Sequence, residues 1–542
     1  MKPYYADDSV ILHHGDSLDV LRALPDCSVD AVVTDPPYGL ADHHPGVVVA
    51  AMTAWLTGDR EHVPDGKGFM GTDWDKFVPP PALWDECLRI LKPGGHLLAF
   101  AAPRTADLMT MSIRLAGFDI RDSIDWLFAS GFPKGQDIGK AIDRMRSEDR
   151  PGVLKVTAWL NAARVAAGIT HKQIDDAFGF NGMASHWTTQ SRTACVPTTQ
   201  QWEQLRTLLS FGPDMDDQVR QLNSRKGERG ATFAEREVIG SRHSGLGQGR
   251  TSVFLNGMAG VDDRGHVAVT SPASDEAKQW EGWNTSLKPA REPIVVARKR
   301  TGFNSAVANV LEHGTGALNI GACRVPADDA PSGRVRHGGG SNSVYAQDEW
   351  TSDNSATMGR PMPAGRWPSN VVLSHAPTCT EACVPGCPVA DLDKQSGVLT
   401  SGANPTRHGS DKFRRAHGDF KGQAECAPAR GADRGGASRF FPAFRYEAKA
   451  APVERPQAPD GVTHPTVKPL ELMRWLVRLV TPAGGIVLEP FAGSGTTAEA
   501  CVIEGMRCIA VEREAAYLPL ITARLTKPLQ PALNLFAGEG VA

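Results

Sequence analysis

Short apolar runs recur towards both ends of this chain, each closed by residues that stop it. Ser9-Val10-Ile11-Leu12 reads as a strand and Gly15-Asp16 as a turn, after which Leu18, Leu21 and Leu24 recur at helical spacing. Residues 30–34 form the next apolar strand, so 8–34 is a strand–helix–strand opening. Leu88-Arg89-Ile90-Leu91 ends a helix at Lys92-Pro93-Gly94-Gly95, and residues 96–100 read as a buried strand. Ser123 to Phe128 is a further strand candidate. Alternation of this kind predicts an α/β fold with a parallel, doubly wound, Rossmann-like sheet.

The pattern breaks near residue 150. Residues 153–209 are helical and alanine-rich, punctuated by Gly168 and Gly179. Sheet-like sequence returns at Pro293-Ile294-Val295-Val296-Ala297, ahead of Arg298-Lys299-Arg300. Stretches 327–365 and 401–438 are rich in Gly, Ser, Pro and Arg and read as loops. From Thr463 to about Leu525 the alternation resumes, with a helix at 470–480, a strand, a glycine loop, a helix and a strand at 507–511. The expected domains are therefore 1–145, an inserted all-α region at 150–222, a return to the sheet at 223–325, a loop-rich insertion at 326–440, a second sheet half at 441–530 and a tail at 531–542.

A length of 542 residues suits two or three structural units. Hydrophobic content of 41% and charged content of 22% are ordinary for a globular protein. No apolar run reaches the ~18 residues of a membrane span. The opening Met1-Lys2-Pro3-Tyr4-Tyr5-Ala6-Asp7-Asp8 has no signal-peptide core, so an intracellular protein without a membrane partner is expected. The net charge of -3 does not by itself favour nucleic acid, although a local basic cleft can bind DNA within an acidic protein. Ten cysteines over this length do not suggest a disulfide framework.

Two motifs carry the chemistry. Asp35-Pro36-Pro37-Tyr38 follows the apolar run at 30–34, and Phe491-Ala492-Gly493-Ser494-Gly495-Thr496-Thr497 follows Ile486-Val487-Leu488-Glu489-Pro490. Ligands of open parallel sheets bind outside the carboxyl ends of the strands, so both motifs should meet at one edge. Gly493 and Gly495 let the backbone approach a ligand, and a helix from Thr496 offers its amide end. Glu512 ends the next strand, about 20 residues after the loop, where an acid binds ribose hydroxyls in nucleotide-type sites. The loop lacks the Lys of a phosphate loop and the spacing of a dinucleotide fingerprint, so an adenosyl sulfonium cofactor fits it better.

Asp35-Pro36-Pro37-Tyr38 resembles the target-amine motif of amino-methyltransferases, and Phe491–Thr497 resembles their S-adenosylmethionine loop. Catalytic motif first and cofactor loop last is similar to the permuted order of the beta class of DNA amino-methyltransferases. Asp16, His464-Pro465-Thr466-Val467-Lys468-Pro469 and Asn284 to Pro293 resemble further segments of that family. The resemblance covers about 1–140, 280–325 and 440–525. It implies methyl transfer from S-adenosylmethionine to the N6 amine of adenine in double-stranded DNA. Asp35, Pro36, Pro37 and Tyr38 would form the target pocket. Asp16, Thr466, Lys468, Glu489, Phe491, Gly493, Gly495, Thr496 and Glu512 would hold the cofactor.

The target motif has a chemical rationale. An amine conjugated to its ring is a poor nucleophile. Hydrogen bonds to the Asp35 carboxylate and the Pro36 carbonyl would draw its nitrogen towards sp³ geometry, and the prolines preorganise both acceptors. Tyr38 would stack on a base flipped from the duplex. The chain has no Pro-Cys dipeptide of the kind that supplies the nucleophile in cytosine-C5 methyltransferases. N4-cytosine methylation needs the same geometry and stays open, although family members of that type more often carry Ser in place of Asp35. RNA or protein amino-methylation stays open as a more distant alternative. A homodimer, a cognate restriction enzyme and a bacterial or phage-infected cytoplasm are further expectations from the family context.

Inside the insertions, residues 169–187 resemble a helix-turn-helix, with Thr170 as cap, Gly179 in the turn and Ser185, His186 and Trp187 in the second helix. Asp175 departs from the small residue usual at its position. His375, Cys379, Cys383 and Cys387 form H-x₃-C-x₃-C-x₃-C, a donor set suited to a structural zinc, with Cys426 as a substitute ligand. The spacing lacks a C-x₂-C knuckle, and four separate side chains are the alternative. Lys412, Arg414, Arg415, Lys421, Arg430 and Arg434, set among glycines, are expected to follow a DNA backbone or to form a solvated loop.

Overall fold

The computed structural model describes residues 2–41, 43–66, 68, 74–128, 131, 135–145, 147–180, 182–225, 228, 230–243, 266–326, 365–376, 379, 382–401, 433–444, 464 and 466–526. Residues 327–364 of the expected loop at 327–365, residues 402–432 of the one expected at 401–438, the tail at 531–542, Cys426 and the basic residues Lys412, Arg414, Arg415, Lys421 and Arg430 lie outside these described residues. The described end of the second loop holds a short strand, Asp433–Gly435, paired with Leu399–Ser401. The chain divides into two compact units, residues 1–131 with 290–542, and residues 132–289. No helix among the described residues is long and apolar enough to cross a membrane.

In chain order the strands are β1 (Tyr5–Ala6), β2 (Val10–His14), β3 (Val29–Thr34), β4 (Leu91–Phe100), β5 (Asp119–Leu127), β6 (Val238–His243), β7 (His266–Thr270), β8 (Arg291–Arg298), β9 (Val371–Ser374), β10 (Leu399–Ser401), β11 (Asp433–Gly435), β12 (Ala443–Phe444), β13 (Ile486–Glu489) and β14 (Arg507–Glu512). The first unit is built on one ten-stranded sheet in the order β1-β2-β14-β13-β3-β4-β8-β5-β9-β12. Its centre is parallel, as the strand–helix alternation predicts, with β2, β14, β13, β3 and β4 all running one way. Two strands depart from that expectation. The short edge strand β1 pairs antiparallel with β2, and β8 is reversed within the sheet, running antiparallel between β4 and β5.

Alternate side chains explain why both faces are covered. Ala31, Val33, Leu98, Phe100, Ile294, Val296 and Val487 pack into one core with Leu472, Met473, Leu476 and Val477 of the helix Leu470–Val480. Val32, Leu97, Ala99, Val295 and Leu488 pack into the other, with Trp55, Trp84, Met109 and Ile113. The helix expected to end at Lys92 stops earlier, at Ile90, and β4 starts directly at Leu91. Pro93, Gly94 and Gly95 are absorbed as an irregularity, because β3–β4 pairing jumps from Val29↔Leu91 to Ala31↔His96. A Cβ on Gly95 would lie 2.9 Å from the Asp30 carbonyl oxygen, so only glycine passes there.

The second unit holds a helical cluster and the antiparallel hairpin β6–β7. Val156, Leu160, Ile174, Trp187, Trp202 and Leu205 centre its helical core. Thr170 forms a capping box with Gln173 at the start of the helix His171–Phe178, which ends at the left-handed Gly179. The following helix, Met183–Thr188, begins from Gly182, which has no side chain to cap it. Asp175 supplies the missing acceptor, taking hydrogen bonds from Gly182 N at 3.0 Å and Ala184 N at 2.8 Å. The departure at Asp175 is thus a cap provided by the preceding helix. Asp175→Ala should cost about 1 kcal/mol locally and speed amide exchange in residues 182–188 roughly five-fold. Unchanged exchange there would show that the carboxylate stabilises nothing.

Candidate active site

Four adjacent parallel strands, β2, β14, β13 and β3, bring four chain segments to one sheet edge. Asp16 follows β2, Glu512 ends β14, Phe491 follows β13 and Asp35 follows β3. Because β8 is antiparallel, its beginning rather than its end reaches the same edge. Glu292 arrives there by that route, paired with Trp126 while Ile294 pairs with Phe100.

On the glycine-loop side, Gly493 and Gly495 have φ of 52° and 78°, in the region that favours glycine. A Cβ on Gly495 would come within 3.0 Å of Ile521, and one on Gly493 within 3.1 Å of His464. The helix Thr496–Ile503 then starts with Thr496 and Thr497 buried. Glu512 accepts from Gly493 N and Glu514 N, each at 2.7 Å, and burial raises its pKa. Asp16 is exposed and caps the helix Ser17–Arg22 through Leu18 N at 2.9 Å. Ser17 Oγ donates to the Pro490 carbonyl at 2.6 Å, fixing this turn to the end of β13. His464 meets Tyr517 edge-on at 4.6 Å, and Thr466 is exposed beside it.

Asp35 sits in a network that joins the two distant parts of the sequence. Lys468 Nζ donates to Asp35 Oδ2 at 2.7 Å and lies 3.5 Å from Glu292 Oε2. The Tyr38 hydroxyl lies 2.8 Å from Asp35 Oδ1 and 3.1 Å from Glu292 Oε2. Lys468 also stands over the rings of Tyr38 and Phe100, at 5.2 and 5.0 Å from their centroids. Burial opposes its charge, but Asp35 and Glu292 outweigh burial and raise its pKa. Burial, then the charges of Asp35 and Glu292, push the Tyr38 phenol well above its ordinary range. After Pro36 and Pro37, the chain turns at Gly39, whose N donates to Asp75 at 2.8 Å. A Cβ on Gly39 would fall 2.7 Å from Val78 N.

Lys468, expected on the cofactor side, therefore binds the target-motif carboxylate. Glu292 was not singled out as a site residue. It lies in the Asn284 to Pro293 segment that resembles the family, and its place in the site depends on the direction of β8. The quartet of His375, Cys379, Cys383 and Cys387 also comes together, with all ligand atoms within 4.8 Å of one another. It follows β9, four strand positions from β3.

Glu489, expected among the cofactor residues, links the two halves of the site from within the protein. Its side chain is buried, and it accepts from Thr34 Oγ1, Thr497 Oγ1 and, at 3.1 Å, Phe491 N. It ties the end of β3 to the glycine loop and helix. Burial is the largest influence on it and, despite those three donors, raises its pKa to about 8. The neutral form is thus favoured in the fold, while an unfolded glutamate titrates near ~4.3. Its contribution to stability should be complete below about pH 4 and lost as pH rises through about 8. Glu489→Gln should therefore show a flatter decline of Tm between pH 5 and pH 8.5 than the unsubstituted protein. Parallel declines in the two proteins would contradict this titration.

Known proteins are similar to parts of this chain. The family model described as DNA methylase, for N6 and N4 methyltransferases, matches residues 270–523. The Type II methyltransferase M.BamHI of Bacillus amyloliquefaciens is 33% identical over 106 residues, which is 19% of this chain and 20% of that protein. M.ScaI of Streptomyces caespitosus is 33% identical over 98 residues, 16% of this chain and 32% of that protein. The chain thus aligns with a third or less of these relatives' lengths. The PvuII DNA methyltransferase (cytosine-N4-specific) structure covers 97% of this chain and 89% of its own, at 10% identity and a TM-score of 0.34, too low to add to the assignment. Asp35 to Tyr38 lie outside the matched interval, whereas Glu292, Lys468, the glycine loop and Glu512 lie inside it. The similarity to the N6/N4 DNA methylase family thus spans residues 270–523, a little under half of the chain.

Proposed function

We propose that this protein is a site-specific DNA methyltransferase that moves a methyl group from S-adenosylmethionine to the N6 amine of adenine in a flipped-out base of double-stranded DNA. The observation that carries the reading is the meeting of Asp35 and Tyr38 with the Lys468 segment and the glycine loop at one sheet edge.

The residues present fit the cofactor. Glu512 is a buried carboxylate with one amide donor on each oxygen, leaving acceptor capacity for a ribose diol. Gly493 and Gly495 keep the loop close to the helix start at Thr496, and Phe491 and Asp16 flank it. S-adenosylmethionine, when bound, supplies a methyl group on a sulfonium, which needs no phosphate-binding lysine. Glu489 holds the loop from beneath.

At the target pocket, two carboxylates and one ammonium leave a net negative charge where an amine must lose a proton. The Asp35 carboxylate and the Pro36 carbonyl accept from the amine N–H groups and aim the nitrogen lone pair. Lys468 and Tyr38 hold Asp35 in place until the base arrives and yield an oxygen to the amine. The Tyr38 ring offers a face for the base. Residues 169–187 are proposed to read DNA as a helix-turn-helix, in keeping with the capped pair of helices. N4-cytosine is the second reading, because the pocket chemistry is shared, and Asp35 in place of Ser favours adenine.

Asp35→Ala should reduce methyl transfer to unmethylated DNA by at least ~100-fold. S-adenosylmethionine binding measured by calorimetry should change little. Retained turnover would remove the role assigned to Asp35.

A further inference from the structure

Three thiols and one imidazole converge in a part of the first unit that has little core of its own. Among the described residues, its small cluster of buried apolar side chains consists of Leu373, Cys387 and Val389. His375 Nδ1 lies 3.3 Å from Cys383 Sγ and 3.6 Å from Cys387 Sγ, and all four ligand atoms fall within 4.8 Å. Ligands on a tetrahedral zinc, with Zn–S near 2.3 Å and Zn–N near 2.0 Å, sit about 3.5–3.8 Å apart. The cluster has nearly that spacing. Val384 N donates to Cys379 Sγ at 3.4 Å, a backbone contact that suits a thiolate.

The backbone around the four residues is organised as a holder. His375 N donates to the Phe444 carbonyl at 2.8 Å, fixing the imidazole just beyond β9. Cys379 N donates to the Ala376 carbonyl and Cys387 N to the Val384 carbonyl, so two of the thiols lie on tight turns. Cys387 precedes the helix Pro388–Ser396, and its carbonyl accepts from Asp391 N at 2.8 Å. From that helix, Asp393 accepts from the N and Oγ of Ser438, both at 2.7 Å. Ser438 belongs to the stretch that leads into β12. β11, which pairs with β10, comes just before the same stretch.

The geometry points to a tetrahedral zinc site formed by His375, Cys379, Cys383 and Cys387, whose ion ties β9, next to the outermost strand β12, to the helix Pro388–Ser396. The role is structural: four protein ligands leave no position for substrate. β9 runs parallel to β5, and its carboxyl end opens on the same edge as Asp35, four strand positions away. At ~4.8 Å per strand that is about 19 Å. The staple therefore organises the flank of the edge on which the reactive groups lie, and it stands independently of the proposed reaction. A cleft of about 450 Å³ lined in part by His375, Cys383, Asp393 and Arg439 gives a chelator access.

The test uses the full chain, purified under reducing conditions without added metal. Plasma mass spectrometry should find one zinc per chain, released by a mercurial thiol reagent. Cobalt exchange should give the visible d–d bands of a tetrahedral site and a near-ultraviolet sulfur-to-cobalt band. Cys383→Ser, at an exposed position where folding is least at risk, should lose the stoichiometric zinc, while Cys27→Ser should keep it. Protein that folds without zinc and shows all four side chains free, or a disulfide within the cluster, would overturn the site. So would full zinc retention in Cys383→Ser.

Discussion

The pairing of β3 with β13 is the constraint on which the rest depends. These strands come from opposite ends of the chain, yet they lie side by side with Val487 opposite Ala31 and Leu488 opposite Val32. A buried carboxylate clamps the pair at each end. Asp30 accepts from Ile486 N at 2.8 Å and from Lys92 Nζ at 2.6 Å, and Glu489 joins Thr34 to Thr497. A slip of one residue would exchange the faces of Val32 and Leu488 with those of Ala31 and Val487, which feed different cores. Register is thereby fixed, and with it the spacing between Asp35 and the glycine loop.

Charge at the edge follows from that geometry. Lys468 is buried and keeps its charge because Asp35 and Glu292 both face it. Such a group is tolerated in a fold only when fully partnered, since removing one partner leaves a buried charge uncompensated. The arrangement is also poised: Tyr38 and Lys468 occupy the oxygens of Asp35 that the proposed amine would need. A site built this way holds its acceptor rigid before substrate arrives, which lowers reorganisation during the reaction.

Much of this was legible in the sequence because apolar runs such as 30–34 and 486–489 declare buried parallel strands, and the residues after them declare an edge. The direction of β8 was not legible. Pro293 to Ala297 read as a strand in either sense, so nothing in the local pattern could bring Glu292 to the site. Glu489 and Lys468 were placed on the cofactor side by their neighbours in sequence. Their partners, Thr34, Thr497, Asp35 and Glu292, come from other strands and helices, and only the fold reveals them. Asp175 looked like a mismatch because its use depends on where the next helix begins. In each case the missing information was a contact distant in sequence, whereas residue type and periodicity had carried the local elements.

Mass spectrometry of nucleosides from methyl-free DNA incubated with the protein and S-adenosylmethionine tests the central claim most directly. The account predicts N6-methyladenine. N4-methylcytosine would keep the edge chemistry and overturn the base, and 5-methylcytosine, or no methylated nucleoside from protein that binds the cofactor, would contradict the account.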